Sequence, residues 1–170
     1  VIDPAGSEPG PDEPQPLIVR PAEVQDADAV ASLSLQLGYE ATSDEIRLRI
    51  ADLSRRENSQ AVFVACIRSS GRGGGPDEAQ VVGWIEMAIT FHLQSPPFVL
   101  IGGLVVKDGI RGLGIGRRLC EEAEQWTRER GIDLIRVTSR STRPDAHRFY
   151  LRDGYKETKI CKVFEKTLGS

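Results

Sequence analysis

Leu104-Val105-Val106-Lys107-Asp108-Gly109-Ile110-Arg111-Gly112-Leu113-Gly114-Ile115-Gly116-Arg117-Arg118-Leu119 joins an apolar strand to a long helix through a glycine-rich turn. Upstream, Phe98 to Val106 is apolar apart from its glycines, the pattern of a strand covered on both faces. Downstream, Leu119, Ala123 and Trp126 recur at helical spacing, with Glu121, Glu122, Gln125 and Glu129 mostly on the other side and Gly131 as the stop. Gly112, Gly114 and Gly116 leave main-chain amides uncovered where that helix begins. The first four amides of a helix have no partner inside it, and the helix dipole favours negative charge there. Such a turn can cradle a phosphate or pyrophosphate, and Arg111, Arg117 and Arg118 surround it with positive charge.

Several readings compete for this turn. A nucleoside-triphosphate loop needs Lys and then Ser or Thr after its last glycine, whereas Gly116 is followed by Arg117 and Arg118. A dinucleotide fold needs GxGxxG and an acid about 20 residues on, at the end of the next strand. Here the spacing is GxGxG, and Asp133 precedes the next strand. Arg111-Gly112-Leu113-Gly114-Ile115-Gly116 instead resembles the Arg-x-x-Gly-x-Gly turn of the GCN5-related N-acetyltransferases (GNAT), a family in which this turn binds the pyrophosphate of coenzyme A without a metal. Taken alone, the motif is also compatible with a plain strand-to-helix connection.

Composition bounds the rest. The 170 residues suffice for one domain with a sizeable core and are few for two. With 22 basic and 25 acidic residues the net charge is −3, so no basic excess points to nucleic acid or a membrane surface. No apolar run approaches the roughly 20 residues of a membrane span, and no signal peptide is visible. Cys66, Cys120 and Cys161 are far apart and lack metal spacing, which predicts reduced thiols in a cytoplasmic protein, with Cys120 in the core.

Residues 1–16, rich in Pro, Gly and acids, read as a disordered tail, followed by a single domain over 17–168. Leu17 to Arg20 reads as a strand ended or edged by Pro21. Asp26 is placed to cap a helix carrying Ala29, Val30, Leu33 and Leu37, with Gly38 after its end. Ser43 or Asp44 is placed to cap a second helix with the stripe Ile46, Ile50 and Leu53. Ala61 to Ile67 and Val81 to Phe91 read as strands joined by a mobile loop, Ser69 to Gln80, and Pro96 and Pro97 as a break before the next strand. Leu134 to Thr138 reads as a buried strand, Pro144 as the start of a short helix ending near Gly154, and Tyr155 to Thr167 as one or two closing strands.

This order matches the GNAT fold, an α/β (α+β) architecture, which predicts a mixed central sheet of about six or seven strands flanked by about four helices. The resemblance extends over nearly the whole chain outside the tail. Ile18-Val19-Arg20-Pro21-Ala22 through Asp26-Ala27 looks like the family's opening strand and helix, and Gln36-Leu37-Gly38-Tyr39 resembles a signature of a bacterial branch. Ala146-His147-Arg148-Phe149-Tyr150-Leu151-Arg152-Asp153-Gly154-Tyr155 is similar to the late helix, A-x-x-F-Y-x-x-x-G-F/Y, and resembles that of aminoalkylphosphonate acetyltransferases.

The resemblance implies transfer of an acetyl group from acetyl-CoA to a primary amine by direct attack in a ternary complex, with no metal. Leu104, Val105 and Val106 would pair with the pantetheine arm, and Arg111, Gly112, Leu113, Gly114, Ile115, Gly116 and Arg117 would hold the pyrophosphate. The Val106 amide is the implied donor to the thioester carbonyl, where negative charge develops as the amine attacks. Tyr150 matches the family's acidic tyrosine and would protonate the departing thiolate; the competing reading is an aromatic packing beside Phe149, although neighbouring helix positions direct their rings differently.

Many relatives carry a Glu in the central strand, but Val99-Leu100-Ile101-Gly102-Gly103 has none. Glu86, in the apolar run Trp84 to Ile89, is then the candidate base, acting directly or through water, or else a solvent-facing or Arg-paired side chain. His92 and His147 are bases by chemistry, but a strand end suits a surface role for His92 and the late-helix pattern a structural one for His147. Arg143 stands where relatives often have an Asn that contacts the cofactor. The acceptor is a small molecule or a protein amine, and homodimers are frequent among relatives. A non-catalytic acyl-CoA-binding or regulatory module is the rival from another class.

Overall fold

The strand that leads into the glycine turn, β4 (Ser95–Val106), is paired on both of its sides. The structure, a computed structural model, describes residues 17–68 and 79–169. The tail over 1–16 and most of the connection expected over Ser69 to Gln80 lie outside the described residues.

The chain forms two compact units, Val1–Val137 and Thr138–Ser170. In the first, β1 (Leu17–Pro21), β2 (Gln60–Arg68), β3 (Ala79–His92), β4 and β5 (Ile135–Val137) form a sheet in that order. The first three pairings are antiparallel, and β4 with β5 is parallel. A parallel pair needs a crossover, which α3 (Ile115–Glu129) supplies.

Successive residues of a strand face opposite sides of the sheet. Gly83 of β3 points at Leu119 and Ile115 of α3, whereas Trp84 packs with α1 (Ala27–Leu35) and α2 (Ser43–Leu53) through Val30, Leu33, Ile46 and Ile50. The sheet is therefore covered by α3 on one face and by α1 and α2 on the other. Leu119, Cys120 and Ala123 of α3 are fully buried, as their spacing predicted.

Several local expectations are corrected. The carboxylate of Asp26 does not cap α1: it accepts two hydrogen bonds from Arg20 (2.7 and 2.8 Å) and one from the Glu23 amide (2.8 Å). Arg20, on the adjacent strand, outcompetes the helix amides for it, and a short 3-10 turn, Val24–Asp26, leads into α1 instead. For α2 the capping box is made one residue earlier than expected, with Thr42 Oγ1 accepting from the Glu45 amide (3.2 Å) and Glu45 accepting from the Thr42 amide (2.8 Å). Pro96 and Pro97 lie inside β4 rather than before it, at its first residues, where a missing amide is tolerated. β5 is a short, half-buried edge rather than a buried strand.

The unit Thr138–Ser170 contains α4 (Pro144–Arg152), with Pro144 at its first turn and Gly154, at φ +94°, just beyond its end. Among the described residues the sheet has five strands, fewer than expected, because Tyr155 to Thr167 is irregular and Ile160, Val163 and Phe164 are exposed. A strand exists only with a ladder partner. Apolar residues in this segment suggested a strand without naming such a partner.

Candidate active site

Two parts of the first unit bear on chemistry, and β4 contributes to both. Lys107 donates its amide to the Val82 carbonyl (2.8 Å), which makes Gly83 and Val106 a non-hydrogen-bonded pair. Alternation along the strand then turns the amides of Leu104 and Val106 away from β3, and that of Val105 toward it. On that outer side β5 pairs only with Val99, Leu100 and Ile101. From Gly102 onward β4 thus offers a strand edge with outward-facing amides at Leu104 and Val106.

The edge runs into the turn. Gly109, Gly112 and Gly114 have φ of +85°, +90° and +78°, a conformation side-chain-bearing residues rarely adopt. Among the described residues, the adjoining ones aside, nothing lies within 4 Å of where a Cβ on Gly112 or Gly114 would stand, so the turn is open. Gly114 is the N-cap of α3, and its carbonyl accepts the first helical bond from Arg118 (3.0 Å). The amides of Ile115, Gly116 and Arg117 precede that bond and lie at the positive end of the helix dipole. Gln36, just after α1, fixes the loop by accepting from the Asp108 amide (2.9 Å); its sequence motif gave no hint of this contact.

The arginines are more engaged than expected. Arg111 pairs with Asp108 (2.6 Å), while Arg117 and Arg118 both reach Glu121 (3.1 and 2.9 Å). All three pairs are exposed, worth little to stability, and cheap to exchange for an incoming phosphate. Space, outward amides and exchangeable cations together fit a pyrophosphate with an extended amide-bearing arm, which is the shape of CoA.

The second part lies on the α1–α2 face of the sheet. Glu86 is opposite Gly103, and Met87 is opposite Ile101, so Gly102 is the extra residue of a β-bulge. The Glu86 side chain lies over Gly102, open to solvent on one side yet flanked by enough protein to be poorly hydrated. Burial pushes its carboxyl above the usual range, and the charge of Arg49 on α2 pulls it partly back. Among the described residues no ion pair holds Glu86, and its side chain is exposed. His92, exposed at the end of β3, packs edge to face on Phe98 (5.3 Å between ring centroids), a surface contact.

Tyr150 lies on α4, within the second unit. Its ring meets Phe149 edge to face (5.1 Å) and also Tyr155 (5.4 Å). The two neighbouring rings therefore touch, contrary to the expectation that they diverge, because rings this long meet even when their Cα–Cβ bonds point apart. Within the same unit His147 Nε2 lies 3.0 Å from the Arg140 carbonyl, consistent with a local structural role, and Arg148 pairs with Asp145. Among the described residues no group of three or more His, Cys, Asp or Glu could hold a metal ion, and no helix is long and apolar enough to cross a membrane.

Several known proteins are similar to this chain. An aminoalkylphosphonate N-acetyltransferase of Salmonella typhimurium is 41% identical over 80 residues, which is 46% of this chain and 52% of that protein. The chain thus spans about half the length of that relative. An aminoglycoside N(6')-acetyltransferase type 1 of Stenotrophomonas maltophilia is 28% identical over 146 residues, 84% of this chain and 89% of that protein. Among solved structures, an aminoglycoside N-acetyltransferase AAC(6')-Iy in complex with CoA superposes with a TM-score of 0.74 at 16% identity, over 91% of this chain and 97% of that one, a likeness of fold. The profile of the acetyltransferase (GNAT) family matches residues 29–155, three quarters of the sequence. The chain belongs to the acetyltransferase (GNAT) family, whose cosubstrate is acetyl-CoA.

Proposed function

We propose that residues 17–168 act as one catalytic domain that transfers the acetyl group of acetyl-CoA to the primary amine of a small molecule, by direct attack in a ternary complex. The observation that carries this reading is the edge of β4 that β5 leaves unpaired, running into the open glycine turn. The turn residues Arg111 to Arg117 hold the pyrophosphate, and the pantetheine arm continues the sheet along Leu104, Val105 and Val106. Of the two outward amides, Leu104 is next to Gly103, the partner of Glu86, whereas Val106 is farther along. The oxyanion donor and the base serve the same acetyl carbon, so the Leu104 amide suits the thioester oxygen and the Val106 amide the arm, a refinement of the expectation that gave Val106 the first task.

Glu86 takes a proton from the acceptor ammonium, directly or through water, and its raised pKa suits it to that work. The neutral amine forms the new C–N bond, the C–S bond breaks, the sulfur receives a proton from Tyr150, and the proton shed by the new amide nitrogen restores the phenol, directly or through water. The proton on Glu86 returns to solvent. No cysteine lies in either sequence motif, so an acetyl-cysteine intermediate is not invoked.

Arg49 beside Glu86 favours an acceptor that pairs its amine with an anionic group, the class named by the aminoalkylphosphonate relative, over a polyamine. Thiol release from acetyl-CoA, measured across a panel of aminophosphonates, amino sugars, polyamines and a lysine peptide, tests both levels. Turnover with small amines, highest for those bearing phosphonate or phosphate, is the expected result. No thiol release with any amine, despite CoA binding, would favour the non-catalytic module.

A further inference from the structure

We infer that Gly102 is a positioning residue for acetyl transfer: lacking a side chain, it admits the Glu86 carboxylate across β4 and so fixes where the amine's proton is taken. The inference rests on Glu86 being the base. A Cβ on Gly102 would stand 2.6 Å from Glu86 Oε1 and 3.4 Å from both its Cδ and its Cγ. The first distance is far inside van der Waals contact, so the two cannot coexist without movement. The backbone itself makes no demand for glycine here, since Gly102 is not among the glycines of positive φ.

What requires glycine is the neighbouring carboxylate, and the bulge supplies the place. Because Gly102 is the extra residue of β4, it has no side-chain partner of its own on β3, and Glu86 reaches diagonally onto it. The central strand carries no acid, yet an acid carried by the adjacent strand lies over it. Arg49, on α2, is the charged group that acts on this carboxyl among the described residues; on the adjoining strand β2 the residue opposite is Val62, which carries no charge.

The geometry also separates a positioning role from a structural one. The atoms that a new Cβ would displace belong to the far end of a flexible side chain, so the strand should tolerate Gly102→Ala while the carboxylate shifts. A displacement of about an ångström in a catalytic group can cost up to roughly 10²-fold in rate.

The experiment compares Gly102→Ala, Glu86→Ala and the double variant in thiol release with the best acceptor of the panel, reading kcat, the acid limb of kcat/KM, CoA affinity and Tm. The expected result is that Gly102→Ala lowers kcat by about 10–10²-fold and moves the acid limb, with Tm and CoA affinity near wild type. The double variant should be no slower than Glu86→Ala alone. Wild-type kcat and acid limb in Gly102→Ala, with Glu86→Ala slow, overturn the positioning role and leave Glu86 as base. A wild-type rate in Glu86→Ala removes the base and this inference with it. A further loss in the double variant, or a Gly102→Ala protein that fails to fold with or without Glu86, also overturns it, by showing that the glycine serves the strand.

Discussion

Glycines occur in both the cofactor turn and the α1–α2 face of β4, and for opposite reasons. In the turn, Gly112 and Gly114 sit at left-handed φ with no described neighbour near the place a Cβ would occupy, so the backbone demands them and the open space is the proposed pyrophosphate site. At the bulge, Gly102 and Gly103 have ordinary φ, but a Cβ on either would strike a side chain from β3, Glu86 Oε1 at 2.6 Å and the Trp84 ring at 2.6 Å. In the proposed site the first pair exposes main chain, and the second admits side chains. Substitutions should therefore act on cofactor affinity in the turn, and on chemistry or packing at the bulge.

The largest effect is expected in the turn. Gly114→Asp adds a negative charge where the phosphates are proposed to lie and a side chain at φ +78°. Like-charge juxtaposition costs several kcal/mol, so CoA affinity should fall by about 10²-fold or more in a protein that remains folded, as calorimetry would read. Next comes Tyr150→Phe, which keeps the ring contacts and removes the hydroxyl. General acid catalysis is worth about 10²–10⁴-fold, and a thiolate leaves fairly well unaided, so kcat and kcat/KM should fall together by about 10²-fold with CoA affinity unchanged. Wild-type kcat in that variant would make Tyr150 a packing residue.

Gly103→Ala sharpens the comparison at the bulge itself. Its Cβ meets the Trp84 ring, which is buried among Val30, Ile46 and Ile50 and cannot swing aside as a carboxylate can. Overpacking of this kind typically costs about 1–3 kcal/mol, so Tm should drop, whereas Gly102→Ala should lose rate and keep Tm. Equal Tm losses at the two positions would erase the distinction drawn between them.

A last prediction concerns the strand farthest from β5. Burial alone would raise the Asp26 carboxyl, but the bonds from Arg20 and the Glu23 amide outweigh it and hold the group below the usual range. A folded pKa below the unfolded value means the contribution is complete above the unfolded carboxylate pKa of about 3.9 and is lost as pH falls through the folded one. Asp26→Asn should cost about 1–3 kcal/mol near neutral pH, and urea unfolding should show the gap from wild type narrowing below about pH 4. A gap that stays constant with pH would mean that the ion pair contributes nothing through its charge.

What was legible in the sequence tracks the same division. The strand–turn–helix around Gly114 and the helix from Pro144 to near Gly154 are specified by local chemistry: apolar period, positive-φ glycines, and a proline at a first turn. Their reading from residue types matched the structure. The bulge was invisible, because Gly102-Gly103 acquires meaning only from Glu86 and Trp84, which lie on another strand. The capture of Asp26 by Arg20 likewise overrode a sound local signal for a helix cap. Tyr155 to Thr167 failed as a strand reading for a related reason: its apolar residues said nothing about a partner ladder. Glu86 is legible only as an acid beside a central strand that lacks one, and its place over Gly102 is not legible.

The central proposal is that main-chain amides along β4 and into α3 bind the cofactor, with the arginines of the turn adding charge around the pyrophosphate. Amide hydrogen exchange, followed residue by residue by NMR with and without CoA, tests this directly. The account predicts that CoA protects the amides of Leu104, Val106, Ile115, Gly116 and Arg117, while Val105, already turned toward β3, changes little. Saturating CoA that leaves the Leu104 and Val106 amides exchanging at their unliganded rates would contradict it.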